Sequence, residues 1–463
     1  MHRRHFLSAS ALAACGTLFT GSAFAADIGR RGRPGLLKSP HFKPKAKRVI
    51  YLYMSGGPSQ FESFDYKPML EKLDGKPMPA SVTAGQQLAQ IQGQKLNCFG
   101  PRFKFAKHGQ SGIEISDQFP ELAKVADELA VVRSLFTDQI NHDPANTLLN
   151  TGSILPDRPS MGSWVDYALG ADCDDLPGFV VMESVKGGQG QPLAGRYWAS
   201  GALPGVHQGV KLNSRGPLVH FSGNPVGVAK EQQLAVAAAS GVLNRHAASE
   251  WADIEAATRS QQLEMALRMQ ESIPKLTDFS KEPQATLDLY GCKPGDGSFA
   301  SNCLMARRLV EKGCRFIQLY HRDWDHHTNI QAQFPVLANY VDRGIYALIT
   351  DLKQRGLLED TLIVWSGEFG RTPMSQGGAG RDHHMKCFSG FMAGGGIKGG
   401  TTHGSSDEFG FAPAEHPHHI RDWHATILHQ LGIDPEQLSV KLDGLDWKLT
   451  GVEKANPIKE IQL

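Results

Sequence analysis

Cys314-Arg-Phe-Ile-Gln-Leu-Tyr320 and Thr361-Leu-Ile-Val-Trp365 are short apolar runs, and residues 331–356 between them have helical periodicity. Strand, helix and strand in that order predict a parallel pair joined by a crossover helix. The alternation extends outward. Residues 299–312 suit a helix. Arg48-Val-Ile-Tyr-Leu-Tyr-Met54, stopped by Ser55-Gly56-Gly57-Pro58, reads as a buried first strand and a tight turn. Phe119 to Leu129 looks helical, and Leu129-Ala-Val-Val-Arg133 reads as the next strand. Downstream, Phe388-Ser-Gly-Phe-Met-Ala393 predicts another strand and Arg421 to Leu431 a closing helix. The pattern specifies an α/β protein with a mostly parallel sheet covered by helices on both faces. Ligands of such sheets gather beyond the carboxyl ends of the strands.

The remaining stretches read as additions to that frame. Residues 76–115 are polar and turn-rich, an excursion. Residues 175–228 are dense in Gly and Pro with short apolar pieces and read as loops and short strands, and about Lys230 to Leu289 is strongly helical, so an insertion is expected over about 175–290. The expected organisation is a signal over 1–25, a leader over 26–47 rich in Gly, Pro, Lys and Arg, and one α/β domain over 48–463.

Residues 1–25 have a charged start, Arg3-Arg4 ahead of Phe6-Leu7, a short apolar centre, and Ala23-Phe24-Ala25 at the end. That is the composition of a cleavable export signal, and the paired arginines resemble the twin-arginine type. The expectation is cleavage after Ala25 and a periplasmic or extracellular protein. Leu12-Ala13-Ala14-Cys15 resembles a lipoprotein box, the less favoured alternative because the apolar stretch continues to Phe24.

The full chain has 48 basic and 47 acidic residues. Without Arg3 and Arg4, 46 bases face 47 acids, which gives no electrostatic case for nucleic acid or anionic membranes. Outside the first 25 residues no apolar run approaches the roughly 20 residues that span a bilayer. Six cysteines remain, with no zinc-motif spacing, and free buried thiols are favoured over a disulfide pair.

Ligand-type residues crowd the expected strand ends. His321, Asp323, Asp325, His326 and His327 follow the strand ending at Tyr320. Glu368 and Arg371 follow Trp365, and Asp382, His383 and His384 precede Phe388. Eleven of the 19 histidines fall between 321 and 429. Imidazole and carboxylate together suit a hard or borderline metal better than a thiolate-preferring one. His416, His418 and His419, in a polar Pro-containing stretch, read as solvated, and His424 and His429 as packing or surface residues.

The helix and strand from Ile345 to Gly370 resemble the sulfatases, as do Phe391 to Gly400 and the closing Asp422 to Asp434. A closer resemblance is to the domain-of-unknown-function 1501 family. It is carried by Gly56-Gly-Pro-Ser-Gln-Phe-Glu-Ser-Phe-Asp65, Trp324-Asp-His-His327, Ser366-Gly-Glu-Phe-Gly-Arg-Thr-Pro373, Gly380-Arg-Asp-His383 and Gly394 to Gly410. The resemblance implies an alkaline phosphatase/sulfatase-like fold and a divalent metal. Zinc is the first expectation, with manganese, iron or calcium as alternatives. It implies ligands from Asp325 or Asp323, His327 and His383, with Asp382 beside them. Glu368, His142 and Arg371 become candidates for catalysis: Glu368 as ligand or base, His142 as ligand, acid/base group or nucleophile, Arg371 to neutralise charge.

The departures matter as much. Thr151-Gly152 places His142 where the hydrolases carry a Ser, Thr or Cys nucleophile. Ser55-Gly56-Gly57 replaces the aspartate after the first strand, and Phe369 replaces a metal-binding histidine. A second metal position would need Glu368, His142 and an N-terminal acid such as Glu62 or Asp65. Two functions are therefore carried forward. One is a metal-dependent hydrolase acting on a small-molecule or polysaccharide-borne phosphate or sulfate ester. The other is a diverged, non-catalytic binding or structural protein. Oligomeric state is not legible.

Overall fold

A computed structural model describes residues 33–188, 190–219, 227–250, 254–442 and 444–463. The expected signal and the first part of the leader lie outside the described residues. The apolar run at the start becomes Arg48–Met54 (β1), buried beyond its first residue. Then come Leu129–Phe136 (β2), Phe179–Glu183 (β3), Val210–Leu212 (β4), Phe316–His321 (β5) and Thr361–Ser366 (β6). A hairpin follows, Gly370–Gln376 (β7) and Gly380–His384 (β8), then Phe388–Ala393 (β9), Thr401–His403 (β10) and His418–His419 (β11).

Nine of these form one sheet in the order β10-β2-β9-β6-β1-β5-β3-β4, with β11 also beside β2. β9 runs antiparallel to both its neighbours, β6 and β2, and the other pairings are parallel. Alternate residues of β1 serve opposite faces. Ile50, Leu52 and Met54 pack with the helices Phe299–Glu311 and Ile330–Gln354. Val49, Tyr51 and Tyr53 pack with Met161–Leu169 and Ile420–Gln430 on the other side. A sheet buried on both faces needs strands that are apolar throughout, which is why these strands were conspicuous as continuous runs.

Three elements depart from the reading of the sequence. The segment over 175–290 supplies two strands of the main sheet, β3 and β4, as well as the helices Lys230–Glu250, Ile254–Thr277 and Gln284–Tyr290. Phe179-Val-Val-Met-Glu183 has the apolar, β-branched character of a core strand; short strands are expected in this stretch, but as part of an insertion rather than of the main sheet. The stretch from Phe119 is helical only as a kinked 3-10 helix, Leu122–Glu128. The 370–384 hairpin was not foreseen, because its strands are mostly polar. Residues 76–115 pack over that hairpin, with Met78, Leu88, Ile91 and Cys98 against Met374 and Phe411. Among the described residues the cysteines are free and no helix is long and apolar enough to cross a membrane.

The hairpin is fastened by a buried ion pair. Arg381 Nη2 and Nε lie 2.8 and 3.0 Å from the two carboxylate oxygens of Glu62, and neither side chain is exposed. Removing one partner of such a pair strands the other charge in a dry interior. Glu62→Ala is therefore expected to lower the unfolding free energy by about 3–5 kcal/mol, measured by urea denaturation. An unchanged midpoint would count against this role.

Candidate metal centre

Four segments deliver their side chains to one edge of the sheet. His142 is the first residue of the helix His142–Thr151, separated from the end of β2 by five residues. Asp325 and His327 follow β5, while Glu368 and Arg371 follow β6. His383 lies in β8, ahead of β9. Because β9 runs opposite to β6 and β2, its amino end meets their carboxyl ends. A residue before one strand thus joins residues that come after the others.

One ligand atom from each of His142, Asp325, His327 and His383 falls within a group no more than 4.8 Å across. His327 Nε2 is 2.9 Å and His383 Nε2 3.3 Å from Asp325 Oδ1, and the two nitrogens are 3.0 Å apart. The second nitrogen of each ring fixes its tautomer. His383 Nδ1 is 2.9 Å from the carbonyl oxygen of Ile140, and His327 Nδ1 contacts Gln376 Oε1. Both partners only accept, so each Nδ1 carries the hydrogen and each neutral ring turns a bare Nε2 lone pair inward. Two ring lone pairs therefore converge on Asp325 Oδ1, to which Arg371 Nη2–H also donates at 2.5 Å. The cluster could hold a cation, and an oxygen behind each Nδ1 is the support that a metal-binding histidine usually has.

His142 completes the group. Its Nδ1 is 2.6 Å from Glu368 Oε1. Its Nε2, buried and without a hydrogen bond, lies 3.2 Å from Asp325 Oδ2. Burial pulls the pKa of His142 down, but the Asp325 and Glu368 carboxylates outweigh it and hold the pKa above its ordinary value. Burial likewise opposes ionisation of Asp325, yet its polar surroundings, among them the Arg371 guanidinium that donates to Oδ1, outweigh it and hold its carboxyl below the usual range. Phe369 closes the apolar side, its ring 4.8 Å from the rings of both His142 and His383.

Other candidates stand outside the group. Glu368, fully buried, accepts from Gly56 N–H at 2.9 Å and sits behind His142 rather than among the inward-facing atoms. Arg371 is also fully buried, and its guanidinium is committed to the Gly56 and Gly57 carbonyls and, at 2.5 Å, to Asp325 Oδ1. It compensates charge inside the protein. Asp382 accepts backbone N–H groups from Gln90, Ile91 and His383 at 2.6, 2.9 and 2.9 Å, which turns its carboxylate away from the centre. Asp323, with φ 81°, packs on Gly188 and Gly190 instead. Between the two aspartates first considered, the geometry selects Asp325.

The second metal position is not rebuilt. Glu62 is held by Arg381, and Asp65 by Lys67 at 3.1 Å and Ser406 Oγ at 2.5 Å. Gly56, with φ +117°, leaves no room for a side chain, since a Cβ there would stand 2.6 Å from Trp324 N. Three glutamines of the site went unnoticed: Gln376, Gln90 with Nε2 3.5 Å from His327 Nε2, and Gln191, whose amide donates to Asp325 Oδ2 at 2.7 Å. Gln191 and Gln90 lie in loop-rich stretches whose sequence carries no periodic signal to place them.

The family model described as "Protein of unknown function (DUF1501)" matches residues 46–462. The chain belongs to that family. No curated protein matches it in sequence. Among solved structures, this DUF1501 chain is similar to a sulfatase from Pseudoalteromonas sp., at 14% identity and a TM-score of 0.34, over 85% of this chain and 69% of that one. It is similar to a protein in the alkaline phosphatase superfamily from Vibrio parahaemolyticus, at 8% identity and a TM-score of 0.37, over 94% and 76%. It is also similar to a phosphonate monoester hydrolase from Silicibacter pomeroyi, at 12% identity and a TM-score of 0.34, over 83% and 73%.

The carboxylate behind His142 yields a direct test. Glu368→Gln keeps the shape and removes the charge that sets the imidazole. It is expected to weaken divalent-ion affinity roughly 10–100-fold, measured by titration calorimetry with Zn²⁺. Wild-type affinity in this variant would show that Glu368 has no part in the centre.

Proposed function

We propose that the chain is an exported, metal-dependent hydrolase of phosphate or sulfate esters, with one divalent ion held by His142, Asp325, His327 and His383. The observation that carries this reading is the convergence of two bare Nε2 lone pairs on Asp325 Oδ1. Three imidazoles and one carboxylate suit zinc first, with manganese or iron as alternatives. The oxygen-rich shell that calcium prefers is lacking among these four residues.

Such an ion supplies Lewis acidity to an ester oxygen and lowers the pKa of water beside it. The chain's own groups do the rest. Glu368 holds the proton on His142 Nδ1 and so keeps Nε2 facing the centre. Phe369 keeps one side dry. The carboxylates of Asp325 and Glu368 against the guanidinium of Arg371 leave one net negative charge, so a divalent ion turns the centre positive. A positive centre favours an anionic ester, whether a small molecule or borne on a polysaccharide. His142 is then a ligand, which leaves no protein nucleophile at the position the hydrolases use, and water becomes the attacking group.

The diverged, non-catalytic reading is favoured by a different observation: Arg371 is buried and turned onto Asp325, out of reach of a substrate. Mature protein loaded with Zn²⁺ or Mn²⁺ and offered chromogenic phosphate and sulfate esters separates the two. Turnover lost by at least about 10²-fold in His327→Ala, a loss on the scale of removing a key stabilising group, supports hydrolysis. Bound metal with no turnover above that variant supports the binding protein.

Export rests on the amino-terminal sequence. Replacing Arg3 and Arg4 together by Lys is expected to leave the protein inside the cell, as followed by fractionation, with an N-terminus at Ala26 in the exported wild type. Export unaffected by the double change would remove the twin-arginine reading.

A further inference from the structure

β10 and β11 lie one after the other along the same edge of β2, with His403 opposite Val132 and His418 opposite Leu135. The chain leaves the sheet at Gly404 and returns at His418, and Ser134 Oγ fastens the return by donating to the His416 carbonyl at 2.6 Å. The excursion therefore has a narrow neck with an imidazole on each side. His403 Nε2 and His418 Nε2 are 2.9 Å apart. Glu460, on the carboxyl-terminal 3-10 helix Lys459–Ile461, brings Oε2 to 3.9 Å from His403 Nε2. His403 is nearly buried, and Asp422 Oδ2 stands 3.7 Å behind the His418 Nδ1. The ligand atoms of His403, His418 and Glu460 all lie within 4.8 Å of one another.

We propose that His403, His418 and Glu460 form a second divalent-cation site, separate from the first, that pins the neck of the 404–417 excursion to the carboxyl terminus. Two imidazoles, one carboxylate and an open side toward solvent are a donor set for Zn²⁺ or Cu²⁺. The role is structural. The excursion reaches back to the first centre, since the Phe411 carbonyl accepts from His384 Nε2 at 2.6 Å, next to His383. The tail is already fastened through Lys398 N–H to the Ile461 carbonyl and Leu463 N–H to the Gly396 carbonyl. An ion at the neck would join these two anchored segments, which lie far apart in the chain.

The test is metal content and affinity for Zn²⁺ on the full mature protein, after chelator treatment, in wild type, His418→Ala, Glu460→Gln and His327→Ala. Wild type is expected to take up one ion per cluster, and His418→Ala to lose one of them while keeping its hydrolytic or metal-binding behaviour at the first centre. Glu460→Gln changes an exposed side chain, so it guards against misfolding, and it is expected to weaken one Zn²⁺ equivalent roughly tenfold. His327→Ala is expected to lose the other equivalent. Unaltered Zn²⁺ uptake and affinity in both His418→Ala and Glu460→Gln would overturn the second site. Unaltered uptake in His327→Ala alone would overturn the first centre and leave this one standing.

Discussion

The carboxylate of Asp325 is the contact on which the site end of the molecule depends. Its Oδ1 meets Arg371 at 2.5 Å, His327 at 2.9 Å and His383 at 3.3 Å, and its Oδ2 meets Gln191 at 2.7 Å. A largely buried carboxylate without partners would cost several kcal/mol. Here the partners arrive from the loop after β5, the hairpin and the segment after β3, so satisfying one charge fixes the positions of three stretches of chain. Removing it would leave the Arg371 guanidinium buried and unbalanced, and the imidazoles without a common centre.

The hairpin reaches that position through a close backbone approach. A Cβ on Gly380 would stand 2.0 Å from the His327 carbonyl oxygen, and the Arg381 N–H donates to the His326 carbonyl at 3.0 Å. Only glycine allows the hairpin to lie this tightly on the loop that carries His327. The Glu62–Arg381 pair holds it from the other side, and the reversed direction of β9 then carries His383 to the edge where the parallel strands end. Strand polarity, one glycine and one buried ion pair together bring residues 142 and 383 within reach of each other.

Much of this was legible in the sequence. The strands β1, β5, β6 and β9 are mostly apolar runs because both their faces are covered, and such runs stand out without an alignment. Asp325, His327 and His383 were marked by crowding at strand ends. What escaped notice lacked periodicity. The hairpin strands Gly370–Gln376 and Gly380–His384 are held by side-chain bonds rather than apolar burial. Asp382 looked like a ligand beside His383, but neighbours in a strand face opposite ways, so one of the two had to point elsewhere. Glu368 looked like a ligand or base from its position alone, and the 2.6 Å contact with His142 Nδ1 places it behind that ring.

The four inward-facing residues of the first centre span positions 142 to 383, and no two of the segments that carry them can approach until the sheet between them is paired. Long loops must close before the pocket exists. The unfolded chain thus offers no comparable cluster, and a cation bound at the proposed centre would be captured only once folding is essentially finished. Since nitrogen-rich sites follow the general affinity order of the transition metals rather than choosing sharply among them, the occupant of such a centre would be decided largely by supply. The fluid in which the polypeptide completes its folding, with its own concentrations of free zinc, copper and manganese, would then select the ion as much as the side chains do.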